Sequence, residues 1–135
     1  MKIITIVFIF ISQIVFAQEN HINPYKDTLE LARYPLTPTI VLDEIADSTI
    51  KYFHDEKSQN IIISLILNPN SSDKSLLKIA EFLIKQTKVD KDELLTLVCH
   101  KNISINSINI ISKLVKDITD LESVYEFCKI TLNNK

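Results

Sequence analysis

Ser71-Ser72-Asp73-Lys74-Ser75-Leu76-Leu77-Lys78-Ile79-Ala80-Glu81-Phe82-Leu83-Ile84-Lys85-Gln86-Thr87-Lys88 is the stretch on which the fold turns. Leu76, Leu77, Ala80, Leu83 and Ile84 recur at intervals of three and four, the spacing that gathers apolar side chains on one face of a helix. Lys78, Glu81, Lys85 and Lys88 fall on the other face, and Glu81 to Lys85 is a favourable i,i+4 pair. Ser71 or Ser72 supplies the hydroxyl that accepts from the free N–H groups of the first turn.

The same grammar extends in both directions. Downstream, Asp90 with Glu93 is a capping-box pattern ahead of Leu94, Leu95, Val98 and Cys99. Ser104 starts a helix with Ile108, Ile111, Val115 and Ile118 inward. Thr119 with Glu122 repeats the box before Leu121, Val124, Tyr125, Cys128 and Leu132. Upstream, Leu42, Ile45, Ala46, Thr49, Ile50 and Phe53 mark a helix over 39–54, and Pro24 opens a short one that Pro35 and Pro38 stop. Ser58 is read as the cap of an almost wholly apolar stretch, Ile61 to Leu67. Its β-branched run suits a buried strand, but nothing else in the chain offers that strand a partner, so helix is favoured. Asn68, Asn102 and Asn133 follow helical stretches, where Asn can take a left-handed capping conformation in place of Gly.

The expected fold is therefore all-α with about six to seven helices and no sheet. It is either an irregular helical bundle or a short helical-hairpin, solenoid-like array. One domain over 18–135 holds the short helix 24–34 and the successive pairs 39–67, 71–101 and 104–133. An offset of 34 lays Ile45-Ala46 on Ile79-Ala80, and an offset of 29 lays Ile79 on Ile108 and Cys99 on Cys128, as stacked hairpins would. The cysteines press on that choice. Equivalent residues of stacked units lie roughly 8–10 Å apart, whereas a disulfide needs Cα atoms within ~4.4–6.8 Å. A regular stack thus opposes a Cys99–Cys128 bond, an exported chain favours it, and the pairing stays open.

Composition narrows the chemistry. The 135 residues include no Gly, which removes the phosphate loops, dinucleotide-binding turns and nucleophile elbows that need a residue without Cβ. Met1-Lys2, the apolar run from Ile3 and Val15-Phe16-Ala17 read as a signal peptide over 1–17 with cleavage after Ala17. The run is too short, and too interrupted at Ser12 and Gln13, to be a spanning helix. The mature chain is then exported, periplasmic or secreted, with no stable membrane anchor. Losing Lys2 with the leader moves the formal charge from −2 to −3, without the basic footprint of a nucleic-acid binder. Asn70-Ser71-Ser72 and Asn102-Ile103-Ser104 are glycosylation sequons, relevant only in a eukaryotic secretory route.

No reactive constellation stands out. His54-Asp55-Glu56 are consecutive, so on a helix they point about 100° apart and cannot converge on a metal. Cys99-His100 are likewise adjacent and diverge, His21 lies in the polar tail, and Asp43-Glu44 and Asp92-Glu93 suit solvated helix faces. The reading assigns no catalytic residue, no cofactor and no metal. It expects a non-catalytic module that binds another protein as an inhibitor, immunity-type protein or adaptor. Asp43, Asp47, Tyr52, Asp55 and Glu56 form the interaction surface to test. The alternative is a small-molecule or lipid carrier with an apolar cavity between helices, motivated by the excess of Ile in 61–67. An enzyme would require His54, His100 and carboxylates to meet in one cleft.

Overall fold

A computed structural model describes residues 23–86, 91–115 and 121–133. The described residues form seven helices and no strand: α1 Pro24–Arg33, α2 Thr39–Lys51, α3 Glu56–Leu67, α4 Asp73–Lys85, α5 Lys91–Val98, α6 Ile105–Leu114 and α7 Leu121–Asn133. The all-α expectation holds. Helix starts follow local capping chemistry. The side chains of Asn23, Asp55, Ser72 and Ser104 each accept the backbone N–H three residues on, covering donors that have no partner inside the helix. Two expectations shift here. Asp55, not Ser58, caps α3, so the helix begins at Glu56, five residues ahead of its apolar run. No described residue has positive φ; Asn68 ends α3 at φ −75° and ψ 124°, so the left-handed reading of Asn68 and Asn102 is replaced by another role described below, and Asn133 is the last residue of α7 rather than the residue after it. The boxes at Asp90 and Thr119 lie outside the described residues.

Ile61 to Leu67 is helical, and burial explains why β-branching does not prevent it. Ile61, Ile62, Leu65 and Ile66 all sit in the core. Burying such a side chain contributes about 1.5–3 kcal/mol, against a propensity cost of at most ~0.7 kcal/mol per residue. Packing outweighs propensity several-fold.

The helices stack in two layers. In one, α1 packs on α3, α3 on α5 and α5 on α7; in the other, α2 packs on α4 and α4 on α6. The layers are joined by contacts of α1 with α2, α2 with α3, α4 with α5 and α6 with α7. Helices one apart in sequence thus lie across the core from each other, and helices two apart lie side by side. That is the arrangement of a short helical-hairpin array. The core runs between the layers through Leu42, Ile62, Leu65, Leu76, Ile79, Leu94, Leu97, Ile108 and Ile111, all buried.

The cysteines are bonded within this stack. Cys99 and Cys128 form a disulfide with Cα atoms 5.3 Å apart. The opposition anticipated between stack and bond dissolves because the two residues are not equivalent. Cys99 lies just past the end of α5 and Cys128 lies inside α7. The offset of 29 that superposed them is a misregister: the capping serines Ser72 and Ser104 set the true offset between α4 and α6 at 32. Under it Leu76 and Ile79 fall on Ile108 and Ile111, all four buried.

Candidate functional site

Three connections, Tyr34–Pro38, Asn68–Ser72 and His100–Ser104, lie at one end of the stack and repeat one construction. Each closes a turn from its fourth-residue N–H to its first-residue carbonyl: Thr37 to Tyr34 at 3.1 Å, Ser71 to Asn68 at 3.1 Å and Ile103 to His100 at 3.2 Å. Hydrogen bonds then run from each connection to the one before it. The Asn70 amide donates to Pro35 O at 2.8 Å and Thr37 O at 3.1 Å. The Asn102 amide does the same to Pro69 O at 2.9 Å and Ser71 O at 2.8 Å. In the first column, Asn68 Nδ2 donates to Ala32 O at 2.7 Å and Tyr34 O at 3.0 Å. His100 Nε2 pairs with Asn68 O at 2.8 Å. These bonds satisfy connection carbonyls that no helix can use, at about 1 kcal/mol net each.

A second line of contacts holds the helix starts. Asp43 of α2 accepts from Ser72, the cap of α4, at 2.6 Å and also from Ser75. Asp73 of α4 accepts from Ser104, the cap of α6, through the backbone N–H at 2.7 Å and the hydroxyl at 2.9 Å. Each capping serine is thereby tied to an aspartate of the preceding helix in its layer.

The residues proposed for an interaction surface fall into two groups. Asp43 is half-buried and engaged as described, and Asp47 pairs with Lys78 at 2.7 Å. Tyr52, Asp55 and Glu56 lie around the exposed turn between α2 and α3, where Lys51 Nζ sits 5.2 Å from the Tyr52 ring and Asp55 caps α3. His54, in that turn, is exposed and at the opposite end of the stack from His100. His21 lies outside the described residues. Among the described residues, no group of three or more His, Cys, Asp or Glu is placed to hold a metal ion.

The His100 ring is disfavoured as a cation. Burial holds it below its ordinary value of 6.5, with a smaller push the same way from Lys101, while the bond to Asn68 O acts in the opposite sense. Both ring nitrogens are used. Nδ1 accepts the Asn102 N–H at 3.1 Å, so Nε2 carries the proton toward Asn68 O.

An open groove of about 320 Å³ lies between α2 and α4, lined by Asp47, Ile50, Lys51, Lys78, Glu81, Phe82 and Lys85. Five of these seven side chains are charged, while most of the exposed lining surface is apolar. Of the isoleucines in 61–67, Ile61, Ile62 and Ile66 lie in the core.

A feature the sequence reading did not single out is the corner around the first connection. Leu31, Tyr34, Leu36 and Ile40 are all exposed large apolar residues there, Tyr34 at 56% and Leu36 at 73%. Leu31 is 40% exposed, although the leucines at the matching place in α3 and α5, Leu65 and Leu97, are exposed by 1% and 0%. The signal was present as Tyr-Pro-Leu-Thr-Pro, apolar residues in a proline-bounded connection where the two later connections carry polar ones. Comparison with known proteins adds no further assignment: no family model, curated protein or solved structure matches the chain.

Proposed function

We propose that this chain is an exported, non-catalytic helical module that binds another protein, as an inhibitor, immunity-type protein or adaptor in the periplasm or outside the cell. The observation that carries the reading is the apolar corner of Leu31, Tyr34, Leu36 and Ile40. The exposed end of a helical array is ordinarily polar, because an apolar end invites association. A tyrosine and leucines on a proline-braced turn are the kind of anchor that carries binding energy at interfaces. A second copy stacked in register is poorly served here, since Tyr34 and Leu36 stand where the stacking asparagines and histidine stand in the later connections. A different protein with an apolar cleft is the better fit. The disulfide supports export, because such bonds persist in oxidising compartments. Among the described residues no helix is long and apolar enough to cross a membrane.

The test places a photo-crosslinking amino acid at position 36 in the full chain, expressed in its native host. The expected result is a discrete heavier product in the exported fraction, on a chain whose N-terminus is Gln18. The product should vanish when Ile40 is also changed to Asp. No product, or one insensitive to Ile40→Asp, contradicts the reading, as does a chain retained in the cytoplasm with its leader intact.

A further inference from the structure

Asn68 and His100 occupy the same place in successive connections and make the same pair of hydrogen bonds. Asn68 donates from Nδ2 to Tyr34 O at 3.0 Å and accepts the Asn70 N–H on Oδ1 at 2.9 Å. His100 pairs through Nε2 with Asn68 O at 2.8 Å and accepts the Asn102 N–H on Nδ1 at 3.1 Å. Each side chain therefore donates to the first carbonyl of the connection before it and accepts from the N–H two residues ahead. Only one of the two can take up a proton. An amide keeps its donor and its acceptor at any ordinary pH, whereas an imidazole that gains a proton becomes a donor at both nitrogens.

We propose that His100 is a proton-operated latch: protonation at Nδ1 turns the acceptor for the Asn102 N–H into a second donor and loosens the third connection from the second. Asn102 follows two residues on, and its side-chain amide is what grips Pro69 O and Ser71 O. Breaking its backbone bond therefore disturbs both columns at once. The α6–α7 hairpin begins at this connection, while the Cys99–Cys128 bond keeps α7 attached to the end of α5. Opening is thus confined to the third connection and the start of α6.

The surroundings offer the imidazolium little compensation. Residues 61–72, which span most of α3 and the second connection, contain no titratable side chain, and neither does the last turn of α5 from Leu95 to Val98. The third connection itself brings Lys101, which opposes a further positive charge, and α7 brings Lys129, whose ammonium reaches Lys101 O at 3.4 Å. The start of α4 brings Lys74 and one carboxylate, Asp73, already engaged by Ser104. The sign follows from burial favouring the neutral ring. The latch contributes fully above the unfolded-state value of 6.5. Its contribution falls as pH drops below that value and levels off once the folded-state ring is itself protonated.

The experiment compares the full, disulfide-intact chain with its His100→Asn variant, which copies Asn68 and cannot titrate. Amide hydrogen exchange at Asn102, Ile103 and Ile108 is followed from about pH 7 to about pH 5, with intrinsic exchange corrected, alongside the NMR tautomer of the His100 ring. The expected wild-type result is an Nε2–H tautomer at neutral pH and a several-fold loss of protection at these amides on acidification. The variant should fold and hold its protection constant. An Nδ1–H tautomer, an equal acid response in both chains, or a His100→Asn chain that does not fold would each overturn the latch.

Discussion

The first and third connections share a turn and differ in chemistry. Tyr34-Pro35-Leu36-Thr37-Pro38 carries apolar side chains at its first and third places, and His100-Lys101-Asn102-Ile103-Ser104 carries polar donors there. The backbone turn is the same in both. What differs is the neighbour behind it. The third connection backs onto the carbonyls of the second, and those must be paired wherever the stack excludes water. No described connection lies behind the first, and Tyr34 and Leu36 are exposed there. The stacked interior constrains residue type through backbone satisfaction. The end of the stack frees those same places for contact with another molecule.

Substitutions at matched places break this comparison most sharply. Leu65→Ala removes a fully buried side chain and should cost about 2–5 kcal/mol of unfolding free energy by urea denaturation, while Leu31→Ala, at the corresponding place in α1, should cost less than half as much. Equal losses would mean that the N-terminal corner is packed as tightly as the interior. Reduction of the disulfide, or Cys99→Ser with Cys128→Ser, should cost about 2–4 kcal/mol for a bond closing a separation of 29 residues. Its effect on exchange should concentrate in α7. Asn102→Ala leaves the carbonyls of Pro69 and Ser71 without their donor and should cost about 1–3 kcal/mol. Leu36→Ser, at the same place in the first connection, should stay within ~0.5 kcal/mol of wild type in stability while abolishing crosslinking to a partner. That contrast between positions 36 and 102 is the sharpest test of interior against end.

The helices were legible because amphipathic spacing and capping are local. Ser72 and Ser104 announce their helices directly, and the 34-residue echo of Ile45-Ala46 in Ile79-Ala80 reflects real stacking. The connections were not legible because their chemistry is paired across more than 30 residues. Asn70 and Asn102 look like sequon or cap residues until the carbonyls they bridge are seen. The 29-residue spacing of Cys99 and Cys128 carries no register, since two residues bonded to each other cannot hold equivalent places in neighbouring units. Asn70 and Asn102, 32 residues apart like the capping serines, carried the correct offset all along. Asp43 looks like a surface acid in the sequence for the same reason. Its partners Ser72 and Ser75 are remote in sequence, and only packing brings them to it.

The stacked connections are tested most directly by NMR of the Asn70 and Asn102 side-chain amides. Slow exchange, with cross-relaxation from Asn70 to Pro35 and Thr37 and from Asn102 to Pro69 and Ser71, is the result expected of an array held in register through its connections. Two amides exchanging at the solvent rate, with contacts only to their own neighbours in sequence, would contradict it.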